Sequence, residues 1–229
     1  MWRLGVLRAS TGYSPALDRV FDQALDALRA AGAEVVELPD VKPAPDLGKD
    51  ETVILAVELK AGLADYLSHA APAVTARSLA DLIAFNRAHA DVEMAYFGQD
   101  GFERAQAAGG LDDSAYLKAR NEARRLAGAE GIDRLLADNR LDALIAPTTS
   151  PAWTTDLVNG DHYTGGAGSM AAIAGDPHLT VPMGQVHGLP VGLSLMGAAW
   201  SEASLLAMGY AFEQAAHARR PPAYRPSLP

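Results

Sequence analysis

The chain has 229 residues, nearly half of them apolar, which is enough to bury a sizeable core and excludes a disordered polymer. A net charge of -9 and a pI near 5.1 argue against a phosphate-binding surface, because proteins on nucleic acid gain most of their affinity by neutralising phosphates. The absence of cysteine removes disulfides, thiol nucleophiles and cysteine-bearing metal sites together.

With no signal-peptide pattern after Met1 and no run of the ~18 to 20 apolar residues a membrane span requires, a soluble cytoplasmic protein is expected, with neither nucleic acid nor membrane as partner. Leu4 to Leu7 reads as a short buried strand. Ser14-Pro15 then supplies an N-cap and a proline at the first helical position. Behind it Leu17, Val20, Phe21, Ala24, Leu25 and Leu28 fall at helical spacing, and Gly32 follows as a stop. Ala33 to Leu38 is a second strand closed by Pro39, so residues 1–40 form a βαβ unit, which implies parallel pairing.

Residues 40–50, with Lys42 and Lys49, read as an exposed link, and helical patterns dominate 51–140. One helix carries Val53, Ile54, Val57, Leu63, Tyr66 and Leu67 and runs to about His69. Another opens at Ser78, with Asp81 in the reaching-back position of a capping box. A long third follows Asp113, its apolar face made by Tyr116, Leu117, Ala123, Leu126, Ala127, Leu135 and Leu136, although Gly128 and Gly131 weaken it. Residues 141–229 read as strand, loop, strand and helix. Leu141 to Ala146 is stopped by Pro147, a polar glycine-rich loop runs from Thr148 to Ser169, and Val191 to Met196 is the next strand. The last helix opens near Ser201 with Leu205, Leu206, Met208, Phe212 and Ala216 inward. The expected architecture is one α/β domain over 1–229, a mixed β-sheet covered by helices. A loop as long as 148–169 inside a compact domain is usually functional or disordered.

Six histidines invite a metal site, but His69, His89 and His217 lack a partner at i+4, and no His-Glu-x-x-His run occurs among them, His162, His178 and His187. No metal is expected. Gly165 to Ser169, followed by the helical turn Met170 to Ala174, offers backbone N–H groups for an anion or a developing oxyanion. No lysine follows as a phosphate loop requires, and the order is not Gly-x-Ser-x-Gly, so glycines serving positive φ and close packing are the favoured reading. The four lysines lie outside any Ser-Lys motif, with Lys60 and Lys118 expected on solvated helix faces. Ser169, His162 and Asp161 can be assembled into a triad on paper, yet adjacent Asp and His in a loop have no particular tendency toward the required geometry. Trp153, Asp161, His162 and Tyr163 read as a pocket wall, in which Asp161 either holds a substrate N–H or forms a turn beside Gly160.

Several stretches together resemble the carboxy-terminal half of amidase signature enzymes: Asp142 to Thr148, the glycine-rich loop, Ala172 to Gly184, and Gly188-Leu189-Pro190-Val191-Gly192-Leu193 with Gly197. Asp161-His162-Tyr163 and Val186 to Pro190 are closest to the peptide amidase type, while Asp176 is an unusual choice where that family often has an aromatic residue. The resemblance implies amide hydrolysis by a serine nucleophile, a second serine on a cis peptide and a lysine base, with no cofactor. Those groups belong to the amino-terminal half of the family fold, and no Gly-Gly-Ser-Ser-Gly-Gly-like run occurs here, so none of the three catalytic roles carries over. The chain is therefore expected to be the carboxy-terminal part of an amidase: a truncated form, a split-gene product or a degenerate paralogue. It would supply sheet, helical cover and a substrate wall through Trp153, Asp161, His162, Tyr163 and Ser169, and would be inactive alone. Expected partners are an amide substrate and an amino-terminal amidase half or a second copy; the rival reading is a non-catalytic binding or assembly module.

Overall fold

A computed structural model describes residues 1–39, 41, 44, 46–222 and 224. Lys42 of the expected link lies outside the described residues. The chain divides into two compact units, Met1–Ala44 with Arg124–Pro229, and Pro45–Ala123.

The first unit is built on a five-stranded sheet in the order β2-β1-β3-β5-β4, with β1 Arg3–Val6, β2 Glu34–Glu37, β3 Ala143–Pro147, β4 His178–Val186 and β5 Leu189–Met196. Strands β2, β1 and β3 run parallel; β5 is antiparallel to β3 and to β4, so the sheet is mixed. Parallel pairing of β1 with β2 follows from the intervening helix α1, Pro15–Ala30, whose N-cap Ser14 side chain accepts from the Leu17 N–H with Pro15 in the first turn. That helix ends at Ala31, and Gly32 takes the positive φ of 91° that an exit there requires.

Each face of the sheet buries its own core. One combines Leu4, Val6, Ile145, Val181, Leu193 and Leu195 with Leu17, Phe21 and Leu25 of α1 and with Leu205, Met208 and Phe212 of α9, Glu202–Ala216. The other packs Leu144, Ala146 and Met196 against Ile132, Leu135, Leu136 and Ala171. These last residues come from a π-helical segment, Arg125–Ile132, from α7, Asp133–Asn139, and from α8, Gly168–Ala174. Leu206, expected inward, is 61% exposed, because Leu205, Met208 and Phe212 already fill the buried stripe of α9.

The second unit is helical: α2 Leu47–Ser68, α3 Leu79–Ala88, α4 Ala90–Glu93, α5 Asp100–Ala107 and α6 Ser114–Arg124. Ser78 caps α3 by accepting from the Asp81 N–H and donates to the Asp81 carboxylate, which also accepts from the Arg77 N–H. Lys60 is not on a solvated face. It is half-buried, and its ammonium donates to the carbonyls of Gln106 at 3.1 Å and Ala108 at 2.9 Å, where α5 ends with unpaired acceptors and the negative end of its dipole. The long helix expected after Asp113 is interrupted at the glycines: α6 passes into the π segment containing Gly128 and Gly131 before α7. A Cβ at Gly131 would lie 2.7 Å from the Leu126 carbonyl oxygen, so the widened turn admits only glycine there. No helix among the described residues is long and apolar enough to cross a membrane.

Candidate functional site

The loop leaves the sheet at the end of β3 and returns at α8, and its two ends are stitched into a neck. Thr148 N–H donates to the Gly192 carbonyl at 2.8 Å, Ser150 N–H to the Gly165 carbonyl at 2.9 Å, and Ala167 N–H to the Thr148 carbonyl at 3.1 Å. The Thr149 hydroxyl adds a bond of 3.1 Å to the Gly165 carbonyl. A loop closed in this way is a presented surface with fixed ends rather than a slack connector.

Glycines 165 and 166 make the neck possible by close approach. A Cβ on Gly165, whose φ is 154°, would meet the Tyr13 ring at 2.8 Å; one on Gly166 would meet the Tyr163 hydroxyl at 2.8 Å and the Thr148 carbonyl at 3.0 Å. Tyr13, which enters from the turn before α1, thus lies under the loop. Burial pushes its phenol up to about 12, with Tyr163 and Asp18 adding to the shift. Its hydroxyl and that of Ser150, only 5% exposed, are buried without a hydrogen-bond partner.

Three of the five residues expected to face a substrate come together. The Trp153 indole N–H donates to the Asp161 carboxylate at 3.3 Å, and the Trp153 and Tyr163 rings meet edge to face at 6.5 Å between centroids. Tyr163 remains 62% exposed, so the cluster offers an aromatic surface beside a carboxylate. Asp161 does not form the turn at Gly160. That turn is closed by Asp156, whose carboxylate accepts from the N–H groups of Val158 and Asn159 and from the Asn159 amide, which hold it below the usual carboxylate range. His162 and Ser169 are exposed, and no hydrogen bond links Ser169 to His162 or Asp161. The paper triad is not assembled.

A second polar group went unread in the sequence. His178 Nε2 lies 2.6 Å from Ser194 Oγ, which donates to Thr148 Oγ1 at 2.9 Å, and that oxygen is 2.7 Å from Thr180 Oγ1. Thr180 lies opposite Ser194 in the β4–β5 register, which puts both side chains on one face. Gly192 leaves room for the chain, since a Cβ there would lie 2.6 Å from Thr180 Oγ1 and 2.8 Å from Thr148 Oγ1. Burial lowers the pKa of His178 and so favours its neutral form. Asp176, two residues before it, is pushed the other way by burial and by Asp133, and one of its carboxylate oxygens is buried without a partner. Among the described residues no group of three or more His, Asp or Glu side chains is placed to hold a metal ion.

A family model described as Amidase matches residues 2–206. A probable amidase of Arabidopsis thaliana is 31% identical over 213 residues, which is 90% of this chain and 38% of that protein. The native peptide amidase from Stenotrophomonas maltophilia is 48% identical with a TM-score of 0.84, over 97% of this chain and 44% of that one. The peptide amidase PAM in complex with the competitive inhibitor chymostatin is 49% identical with a TM-score of 0.86, over 97% of this chain and 45% of that one. The chain thus spans less than half the length of the proteins it is similar to.

Proposed function

The chain belongs to the amidase family, and on that premise we propose that it works as the sheet-and-wall portion of an enzyme that hydrolyses peptide amides, in concert with catalytic groups that its 229 residues do not contain. The observation that carries this reading is the likeness to peptide amidase at 48% identity along 97% of the chain. Among the described residues Ser169 has no hydrogen bond to His162 or Asp161, and the half-buried Lys60 is occupied as a helix cap, which supports placing the serine nucleophile, second serine and lysine base elsewhere.

In this reading the neck fixes the loop, and Trp153, Tyr163 and Asp161 present an aromatic and anionic surface to the substrate, with His162 and Ser169 at its margins. An aromatic surface suits the side chain of a peptide residue, and a carboxylate accepts from a peptide N–H. The test is release of ammonia from amidated dipeptides by the purified chain, alone and mixed with an amino-terminal amidase segment carrying the two serines and the lysine. Turnover only in the mixture is expected. Turnover by the chain alone, abolished by Ser169→Ala, would overturn the reading.

A further inference from the structure

The polar chain behind the loop has a direction. Ser194 is fully buried, and its single hydroxyl proton goes to Thr148 Oγ1 at 2.9 Å. The 2.6 Å contact with His178 Nε2 must then be made by a proton on the imidazole, because two lone pairs facing each other at that distance would repel. Thr148, having accepted from Ser194, has its own proton free for Thr180 Oγ1 at 2.7 Å. The order is His178 to Ser194 to Thr148, with each bond polarising the next, and the Thr148–Thr180 contact at its end allows either hydroxyl to donate.

Thr148 is also the residue on which the neck converges. Its N–H bonds to Gly192 and its carbonyl accepts from Ala167, so one residue ties the loop's departure, its return and β5 together. The His178 ring lies against that return, 3.8 Å from where a Cβ of Gly168 would stand. The ring is exposed enough to be replaced without opening a core, yet it feeds a buried serine.

We propose that His178 is a positioning residue for the substrate-facing loop: it donates its Nε2 proton into a one-way hydroxyl chain through Ser194 to Thr148 and so fixes the neck from which residues 149–166 are presented. The role in substrate binding rests on the reading of that loop as a pocket wall; the role in fixing the neck does not. In this role His178 acts through Ser194. A glutamine at 178 carries an N–H donor at the corresponding position and satisfies the chain, whereas a leucine leaves Ser194 Oγ with an unmet lone pair.

The experiment uses the 229-residue chain with isotope labelling for magnetic resonance. The His178 Hε2 proton is expected to be visible in slow exchange with water and to vanish in Ser194→Ala, because an imidazole N–H facing solvent exchanges too fast to be seen. Amide exchange at Thr148 and Ala167 is expected to quicken about tenfold in His178→Leu, the factor carried by one hydrogen bond of typical strength, and to return to the wild-type rate in His178→Gln. Exchange at Leu144 in the adjacent core should be unchanged in both variants, which separates a loosened neck from a destabilised fold. In a mixture active on amidated dipeptides, His178→Leu should raise KM with kcat retained, and His178→Gln should restore KM. An invisible Hε2 in the wild type, a ring protonated only on Nδ1, or neck exchange unmoved by His178→Leu would overturn the inference. Since these readouts need no turnover, failure of the mixture to act would count against the proposed function alone.

Discussion

Gly192→Ala places a methyl group between two hydroxyls. Its Cβ falls 2.6 Å from Thr180 Oγ1 and 2.8 Å from Thr148 Oγ1, with the Thr148 Cβ a further 0.5 Å out at 3.3 Å. Comfortable heavy-atom contacts sit near roughly 3.5 Å, so both threonines must turn away. Turning breaks the Thr148–Thr180 and Ser194–Thr148 bonds, and the fully buried Ser194 is left as a donor without an acceptor. An unmet buried hydroxyl costs ~1–3 kcal/mol and overpacking another ~1–3, against a gain of ~0.5–1 for replacing a glycine inside a strand. The net expectation is a loss of about 3 kcal/mol. Urea denaturation read at constant m measures it. Thr180→Ala in the same chain removes one of the two clashes and should recover at least ~1 kcal/mol relative to additivity. A Gly192→Ala protein within ~0.5 kcal/mol of wild type, or a double variant with no recovery, would show that the threonine hydroxyls do not crowd this position.

Truncating Phe212, 1% exposed between α1, α9 and the sheet, to alanine should cost ~3–5 kcal/mol in the same denaturation assay. In a pH titration followed by phenolate absorbance, the step near 12 should disappear in Tyr13→Phe. A phenol whose folded pKa lies above its unfolded value stabilises the fold fully below pH ~10, and that share is lost as pH rises from there toward 12. Wild type should therefore destabilise more steeply than Tyr13→Phe across that window. Lys60→Met should leave the α5 carbonyls uncapped and speed amide exchange in the last turn of that helix by about tenfold, whereas equal exchange in the two proteins would show that the cap contributes nothing.

Local chemistry made part of the fold legible. Ser14-Pro15, the stripe through Phe21 and Leu25, and Gly32 each act within a few residues, and they fix α1 and the parallel pairing on either side of it. Strand β4 is not legible in the sequence because Pro177 and Pro182 break its apolar pattern and its register slips between Pro182 and Gly184. Its hairpin partner was found, yet the turn was not: His187 and Gly188 both take positive φ, as a two-residue hairpin turn requires, and His187 disguised it. The candidate site divides in the same way. Trp153, Asp161 and Tyr163 lie within one loop and are legible together, while His178 stands out in the sequence only as a histidine without metal-ligand spacing. Its partner Ser194 is 16 residues away across a hairpin, and the next member, Thr148, is 46 residues from that serine. A contact of that kind is set by strand register, which no local pattern encodes. Lys60 and Leu206 failed for a related reason: helical spacing says which residues share a face, and packing decides what that face meets.

We propose above that residues 149–166 form a substrate-facing wall in an amide-hydrolysing enzyme. Its most direct measurement is the kinetics of Trp153→Ala and Tyr163→Ala on amidated dipeptides, in a mixture with an amino-terminal segment that supplies the catalytic serines and lysine. KM is expected to rise about tenfold or more for peptides with a large side chain while kcat is retained, as removal of a binding contact of ~1.4 kcal/mol requires. Unchanged kinetics in both variants, or an equal fall in kcat with KM untouched, would contradict it.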